Sequence, residues 1–181
     1  MDTTESDRPM TDTSATTGEV VVTLTGPDGK VKARRVARNL ITDAGDQYHA
    51  KRIAVGVLPS TPADVTKVTG MKVGSSTTAA AKSGAGAALV TYVTTGNKVF
   101  DAGFPTTENL GAGLGWTTTY QCTFGAGVGT GTLAEIVLVT DAESNATSVA
   151  ADTIARVTFT SVVKAAGDSL TIGWAHKQLG S

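Results

Sequence analysis

Apolar and polar residues alternate along much of the chain, and period-two alternation is the mark of strands with one buried face. The clearest stretch is 154–174. In its first arm Ala155, Val157, Phe159 and Val163 share one parity, with Ser161 as the break, while Arg156, Thr158 and Thr160 take the other. In its second arm Leu170, Ile172 and Trp174 stand opposite Thr171, Gly173 and Ala175. The connector, 164–169, holds Gly, Asp and Ser, which turns favour. The pattern predicts an antiparallel hairpin whose Phe159 and Trp174 close a core.

A first hairpin is predicted over 19–36. Val20, Val22 and Leu24 alternate with Val21, Thr23 and Thr25, and Gly26-Pro27-Asp28-Gly29 is a strong turn signal. Further strands are predicted at 53–58, 68–73, 88–94, 116–124 and 133–139. Thr95-Gly96-Asn97 is expected to turn the chain after 94, with 98–100 continuing the pair. In 116–124, Trp116, Thr118, Tyr120, Cys122 and Phe124 lie on one face. Residues 75–88 read as a loop or a poor helix, 102–115 as an irregular loop and 140–151 as a polar loop.

One helix is expected, at about 42–53. Thr42 is a suitable N-cap, Asp43 and Asp46 sit at the positive end of the helix dipole, and Lys51 and Arg52 sit at the other. Ile41, Ala44, Tyr48, Ala50 and Ile53 form its packing stripe. Gly45 weakens it by about 1 kcal/mol relative to Ala. Residues 1–18 are polar, with Asp2, Glu5, Asp7 and Asp12 against Arg8, and bury no apolar area. They read as a flexible, extended N-terminal arm ahead of a single domain at 19–181, either a frayed tail or an arm that orders only on a neighbouring subunit.

Composition strengthens the all-β reading. Among 181 residues only 17% are charged, where a globular domain carries about 25%. Thr and Val favour strands, and 21 Gly favour tight turns. The fold expected is an antiparallel β-sandwich with one flanking helix. A net charge of −1 gives no global field for nucleic acid or an anionic membrane. One cysteine, Cys122, excludes an internal disulfide framework. No apolar run is long enough to span a bilayer, and the first residues lack the basic and apolar segments of a leader. A protein used without secretion through a leader is expected.

Candidate chemistry is sparse. His49 and His176 have no His or Cys at metal-ligand spacing and read as ordinary surface or partly packed histidines. The glycine-rich runs 125–131 and 111–115 lack the Gly-Lys-Ser/Thr ending of a phosphate loop. Cys122 has no base beside it in the pattern, and its strand position predicts burial. Asp141, Glu143 and Asp152 lack calcium-loop spacing and read as a solvated loop. No catalytic residue, cofactor or metal is expected. The one concentrated charge is basic: Lys30, Lys32 and Arg34 on one strand face, followed by Arg35 and Arg38. With Arg8 these form a candidate docking set for an acidic protein surface. The same charges on a solvated strand also discourage edge pairing. Nucleic acid fits them less well, because no aromatic platform is interleaved.

The order of motifs adds a resemblance. Asn39-Leu40-Ile41-Thr42-Asp43-Ala44-Gly45 opens the helix, and Ile53-Ala54-Val55-Gly56 follows. Later come Leu133-Ala134-Glu135-Ile136, then Ala155-Arg156-Val157-Thr158-Phe159 and Leu170-Thr171-Ile172-Gly173-Trp174. Over about residues 20–175 this resembles a family of small β-sandwich virion proteins of tailed bacteriophages. That family carries an N-L-x-T-x-A-G helix start, an I-A-V-G strand, an L-x-E-x-G segment, an A-R-x-x-F strand and a closing L-x-I-x-W strand. Residues 135–139 depart from it in lacking the glycine and the aromatic. The resemblance implies a non-enzymatic virion structural protein: head decoration, minor capsid or minor tail. A capsid decoration (cement) protein on the head surface is the first expectation, assembled in the host cytoplasm. It would bind the major capsid protein and associate with itself, for instance as a trimer, with no nucleic acid or membrane partner. A minor tail or tail-fibre tip protein contacting the host is the alternative, with loops 102–115 and 140–151 at the receptor. An enzyme or carbohydrate-binding module is the third class, and an exposed aromatic platform would favour it.

Overall fold

The computed structural model of the chain describes residues 15–54, 67–142 and 144–179. Strands β1 (Ala15–Thr25) and β2 (Val31–Arg38) form the expected first hairpin. Its turn closes through Gly29 N–H to Gly26 O and Lys30 N–H to Asp28 Oδ1, with Gly29 at φ 76°. The next elements are β3 (Leu40–Ile41), helix α1 (Asp43–Ala54) and β4 (Gly70–Gly74). Then come β5 (Tyr92–Val99), β6 (Thr106–Asn109), β7 (Trp116–Phe124) and β8 (Gly131–Val139). The chain closes on β9 (Thr153–Lys164) and β10 (Ser169–Leu179). Two antiparallel sheets result. The first runs β2-β1-β10-β7-β6 and the second β3-β9-β8-β4-β5. The sandwich with one flanking helix is therefore as expected.

The core lies between the sheets. Val20, Val22, Leu24, Tyr120, Cys122, Phe124, Leu170, Ile172 and Trp174 come from the first. Met71, Val73, Leu133, Ile136, Leu138, Ala155, Val157 and Val162 come from the second. Trp174 is fully buried. Phe159 packs at the margin.

The expected hairpin of 154–174 is not one. β9 pairs with β8 and β3, whereas β10 pairs with β1 and β7. The link between them crosses from sheet to sheet. Alternation reports which face of a strand is buried, not which strand lies beside it. Side chains and amides hold the crossing. Lys164 Nζ donates to Gly125 O (2.8 Å), and Gly127 N–H donates to Ala166 O (2.7 Å). The Asp168 carboxylate accepts from Ala165 N–H (3.0 Å) and Lys32 Nζ (2.9 Å). Val163 is likewise not on the core parity. A register shift in the β8–β9 pair between Leu133 and Glu135 turns Val162 inward and leaves Val163 exposed.

Four further expectations also change. Thr95-Gly96-Asn97 is not a turn but a bulge inside β5, where Thr95 takes φ 58° and the register against β4 shifts. The irregular loop 102–115 contains β6, which pairs with β7 from Thr106↔Thr119 to Asn109↔Trp116. Ile53 and Ala54 belong to α1 rather than to a strand, and 55–66 lie outside the described residues. β1 starts at Ala15, so residues 15–18, assigned above to the arm, are strand. Residues 1–14 lie outside the described residues.

α1 is capped as predicted: Thr42 Oγ1 accepts from Gly45 N–H (3.0 Å) and donates to Thr153 O. Its packing face differs. Gly45 is buried and Ala50 is exposed. A Cβ at Gly45 would sit 2.0 Å from Ile154 O. Glycine there costs helix propensity but lets the helix lie directly on the β9 backbone. That close seat fixes the helix against one end of the sandwich.

Candidate functional site

Three groupings account for the buried Lys, Arg, Asp and Glu side chains among the described residues. The largest is Glu135 with Arg156, both fully buried. Arg156 Nη2 donates to Glu135 Oε2 (2.8 Å), as does Nε (3.2 Å), and Nη1 reaches Thr78 O (2.8 Å) and Gly86 O (3.2 Å). Glu135 also accepts from the amides of Ser76, Val90 and Thr91. The pair thus pins segment 75–91 over the outer face of the second sheet. Beside it, Lys72 Nζ donates to Asp141 Oδ2 (2.8 Å), Ala142 O and Thr147 O, which ties down 140–148. Asp141 is therefore a partnered, nearly buried group rather than a solvated one, and Glu143 lies outside the described residues. Leu89 fills the space between the two covers against Val137 and Val139. Lys164 and Asp168 serve the sheet crossing. Desolvation lowers the Lys164 pKa. The Asp168 carboxyl is held below the ordinary range by the Lys32 and Ala165 hydrogen bonds.

A second polar cluster lies under α1. Asn39 Nδ2 donates to His176 Nε2 (3.4 Å), and the His176 ring lies edge-on to those of His49, Tyr120 and Trp174, with centroids 5.7–6.0 Å away. Asn39 Oδ1, His49 Nε2, Trp174 Nε1 and His176 Nδ1 are buried without a partner among the described residues. His176 is almost wholly buried, more so than the surface or partly packed histidine expected. Burial, helped by the neighbouring His49, drives its pKa from 6.5 down to about 3. Burial lowers His49 as well, against the pull of Asp46. In the unfolded chain a histidine takes its proton near 6.5, where the folded His176 stays neutral. The stability it supports is complete above pH 6.5 and is lost as pH falls toward 3. Unfolding free energy is expected to drop by about 1 kcal/mol between pH 6.5 and about 5.5, and His176→Gln to flatten that slope. Urea titrations at both pH values check this, and a wild-type slope equal to the variant's contradicts it.

The candidate docking set is dispersed. Lys30 stands exposed, 3.9 Å from Asp28. Lys32 is spent on Asp168. Arg35 turns to the other side of β2 and donates to Thr160 O (3.2 Å) and Arg34 O (3.0 Å). Arg34 and Arg38 remain on the outer face with exposed Val36 between them and have no side-chain partner among the described residues. Arg8 lies outside the described residues.

Arg38 leads instead to a cleft of about 620 Å³ at one end of the sandwich. β1 pairs with β10 along its whole length, from Ala15↔Leu179 to Thr25↔Ser169. Its pairing with β2 begins only at Glu19↔Arg38, after which β2 departs through Asn39 to β3 in the other sheet. The departing chain, the overhang of β1, and Asp46 and Lys82 from α1 and its neighbouring loop wall the cleft. Lys82 Nζ is bonded to Asp46 (2.5 Å), while Arg38 and Lys177 stand with Glu19. Sequence reasoning marked Arg38 alone among these residues. The cleft arises where one strand outruns its partner, which no local pattern announces.

The remaining features are internal. Cys122 is buried, its Sγ 3.4 Å from the carbonyl oxygens of Lys98 and Val99. The run 125–131 is the β7–β8 turn, and Gly129 N–H is held by Thr95 Oγ1 (2.9 Å). Burial pushes the Asp101 carboxyl up, but hydrogen bonds from Thr123 and Gln121 outweigh it and leave its pKa lowered. Those bonds clip the β5–β6 crossover to the edge of β7. Leu114 and Trp116 stand exposed at the β6–β7 tip, a single aromatic rather than a platform. Among the described residues no three His, Cys, Asp or Glu side chains group as metal ligands, and no helix is long and apolar enough to cross a membrane. No protein-family model, curated protein or solved structure matches the chain.

Proposed function

We propose that the chain is a non-enzymatic structural protein of a tailed-bacteriophage virion, a capsid decoration protein that sits on the head and binds the major capsid protein. One observation carries the reading. The charged residues inside two of the resemblance motifs, Glu135 of the L-x-E segment and Arg156 of the A-R-x-x-F strand, are each other's buried partners. The other motif residues are equally architectural. Thr42 caps α1, Gly45 seats it on β9, and Leu170, Ile172 and Trp174 fill the core. Motifs that specify a sandwich and its cover suit a protein whose work is to present surface. Such a protein carries its function in edges and faces that meet other chains. Arg34, Val36 and Arg38, exposed on the edge strand β2, are the face offered to the acidic capsid surface.

A minor tail or tail-fibre tip protein is the second reading, favoured by Leu114 and Trp116 at the β6–β7 tip. Quantitative mass spectrometry of purified virions separates the two. Decoration predicts a copy number approaching that of the major capsid protein. A handful of copies per particle selects the tail reading, and absence from particles overturns both.

A further inference from the structure

The cleft at the root of β1 is an unfinished sheet edge. Backbone N–H and C=O groups of a strand residue leave on one edge, and successive residues alternate edges. Asn39 N–H donates to Gly18 O, so the even-numbered residues of β1 face the β2 side. β2 has already departed at that level. The Thr16 N–H, the Thr16 C=O and the Gly18 N–H therefore open into the cleft without a partner among the described residues. An extended peptide can add to such an edge as one more strand.

We infer that this edge accepts the N-terminal segment, residues 1–14, of a second copy of the chain. The inference deepens the structural reading above by naming how copies join. Three observations select this occupant. Its charge is opposite: Asp2, Glu5, Asp7 and Asp12 against Arg8, facing a cleft where Arg38, Lys82 and Lys177 outnumber Glu19 and Asp46. Its composition suits an edge strand, with Thr3, Thr4, Thr11 and Thr13, and with Pro9, which such strands tolerate. Its length suits a neighbour. Fourteen residues precede Ala15, and extended chain spans about 3.3 Å per residue, so the segment reaches up to about 45 Å. To pair with Thr16 of its own copy it would have to reverse direction within the few residues before β1, whereas a neighbour's segment needs no reversal. Copies can join by reciprocal exchange of the segment, which closes a dimer, or head-to-tail, which builds rings or chains.

Sedimentation velocity of the purified full chain tests this. The wild type is expected to associate with rising concentration, and added salt to weaken the association. Thr16→Pro removes the open N–H on the side away from β10. It is expected to keep the circular-dichroism spectrum and to raise the concentration needed for self-association at least about tenfold. That variant keeps its donor segment, so it still joins wild-type chains. Lys177→Glu, an exposed change, is expected to weaken association in the same direction. A wild type that stays monomeric, or association unchanged by both substitutions, overturns the inference. No virion enters the experiment, so its failure is distinct from failure of the decoration reading.

Discussion

Arg156→Met is expected to destabilise the chain by about 3–5 kcal/mol in urea unfolding at neutral pH. The substitution keeps the apolar stem but leaves Glu135 charged and fully buried, facing only amides. It also strips Thr78 O and Gly86 O of their donor. Both losses fall on segment 75–91, so this cover is expected to open before the sandwich does. Hydrogen exchange then shows Val90 and Thr91 amides losing protection ahead of β8 and β9 amides. Glu135→Gln is a useful companion. It keeps the shape, but its NH2 must replace either Oε1, which accepts from Ser76 and Thr91, or Oε2, which accepts from Val90 and Arg156, and it leaves Arg156 buried without a counter-ion, so it too is expected to destabilise the chain. Stability within about 1 kcal/mol of wild type for Arg156→Met would refute the keystone role of the pair.

Trp174→Ala is expected to cost a similar amount, about 3–5 kcal/mol, because it empties the middle of the core. Trp174 is the largest of the fully buried side chains and pairs across strands with Val20 and Tyr120. Its Nε1 makes no hydrogen bond among the described residues, so the loss is one of packing alone. Trp174→Phe keeps much of the volume and is expected to cost about 1.5 kcal/mol or less. Equal losses for the two variants would assign the indole N–H a role that the packing account denies.

What the sequence made legible follows from how local each signal is. The Gly26-Pro27-Asp28-Gly29 turn, the bounds of β7, the Thr42 cap and the inward parity of Leu170, Ile172 and Trp174 are all set by neighbours a few residues away. The partner of a strand is not. β9 and β10 follow one another and alternate in phase, yet lie in opposite sheets because the link between them is held across the sandwich by Lys164 and Asp168. Bulges escape for the same reason, since one shift between Leu133 and Glu135 exchanges the faces of Val162 and Val163. Lys72, Glu135 and Arg156 stand on what would be a solvated face, were it not covered by segments up to 78 residues distant in the chain. A signal for the last was present. Glu135 and Arg156 stand with opposite charge among the apolar runs 133–139 and 154–157, and both belong to the motifs that carry the resemblance.

These features give one physical picture. The buried charged side chains Lys72, Glu135, Arg156, Lys164 and Asp168 hold covers and crossings. The exterior offers edges: β2 with Arg34 and Arg38, and the open overhang of β1. On the decoration reading proposed above, such a chain acts by where it sits and what it joins. Cryo-electron microscopy of the intact particle tests that most directly. The decoration account predicts density fitting this sandwich at repeated positions on the head surface, with β2 turned toward the capsid. Particles whose heads lack that density, or that carry it only at the tail tip, would contradict it.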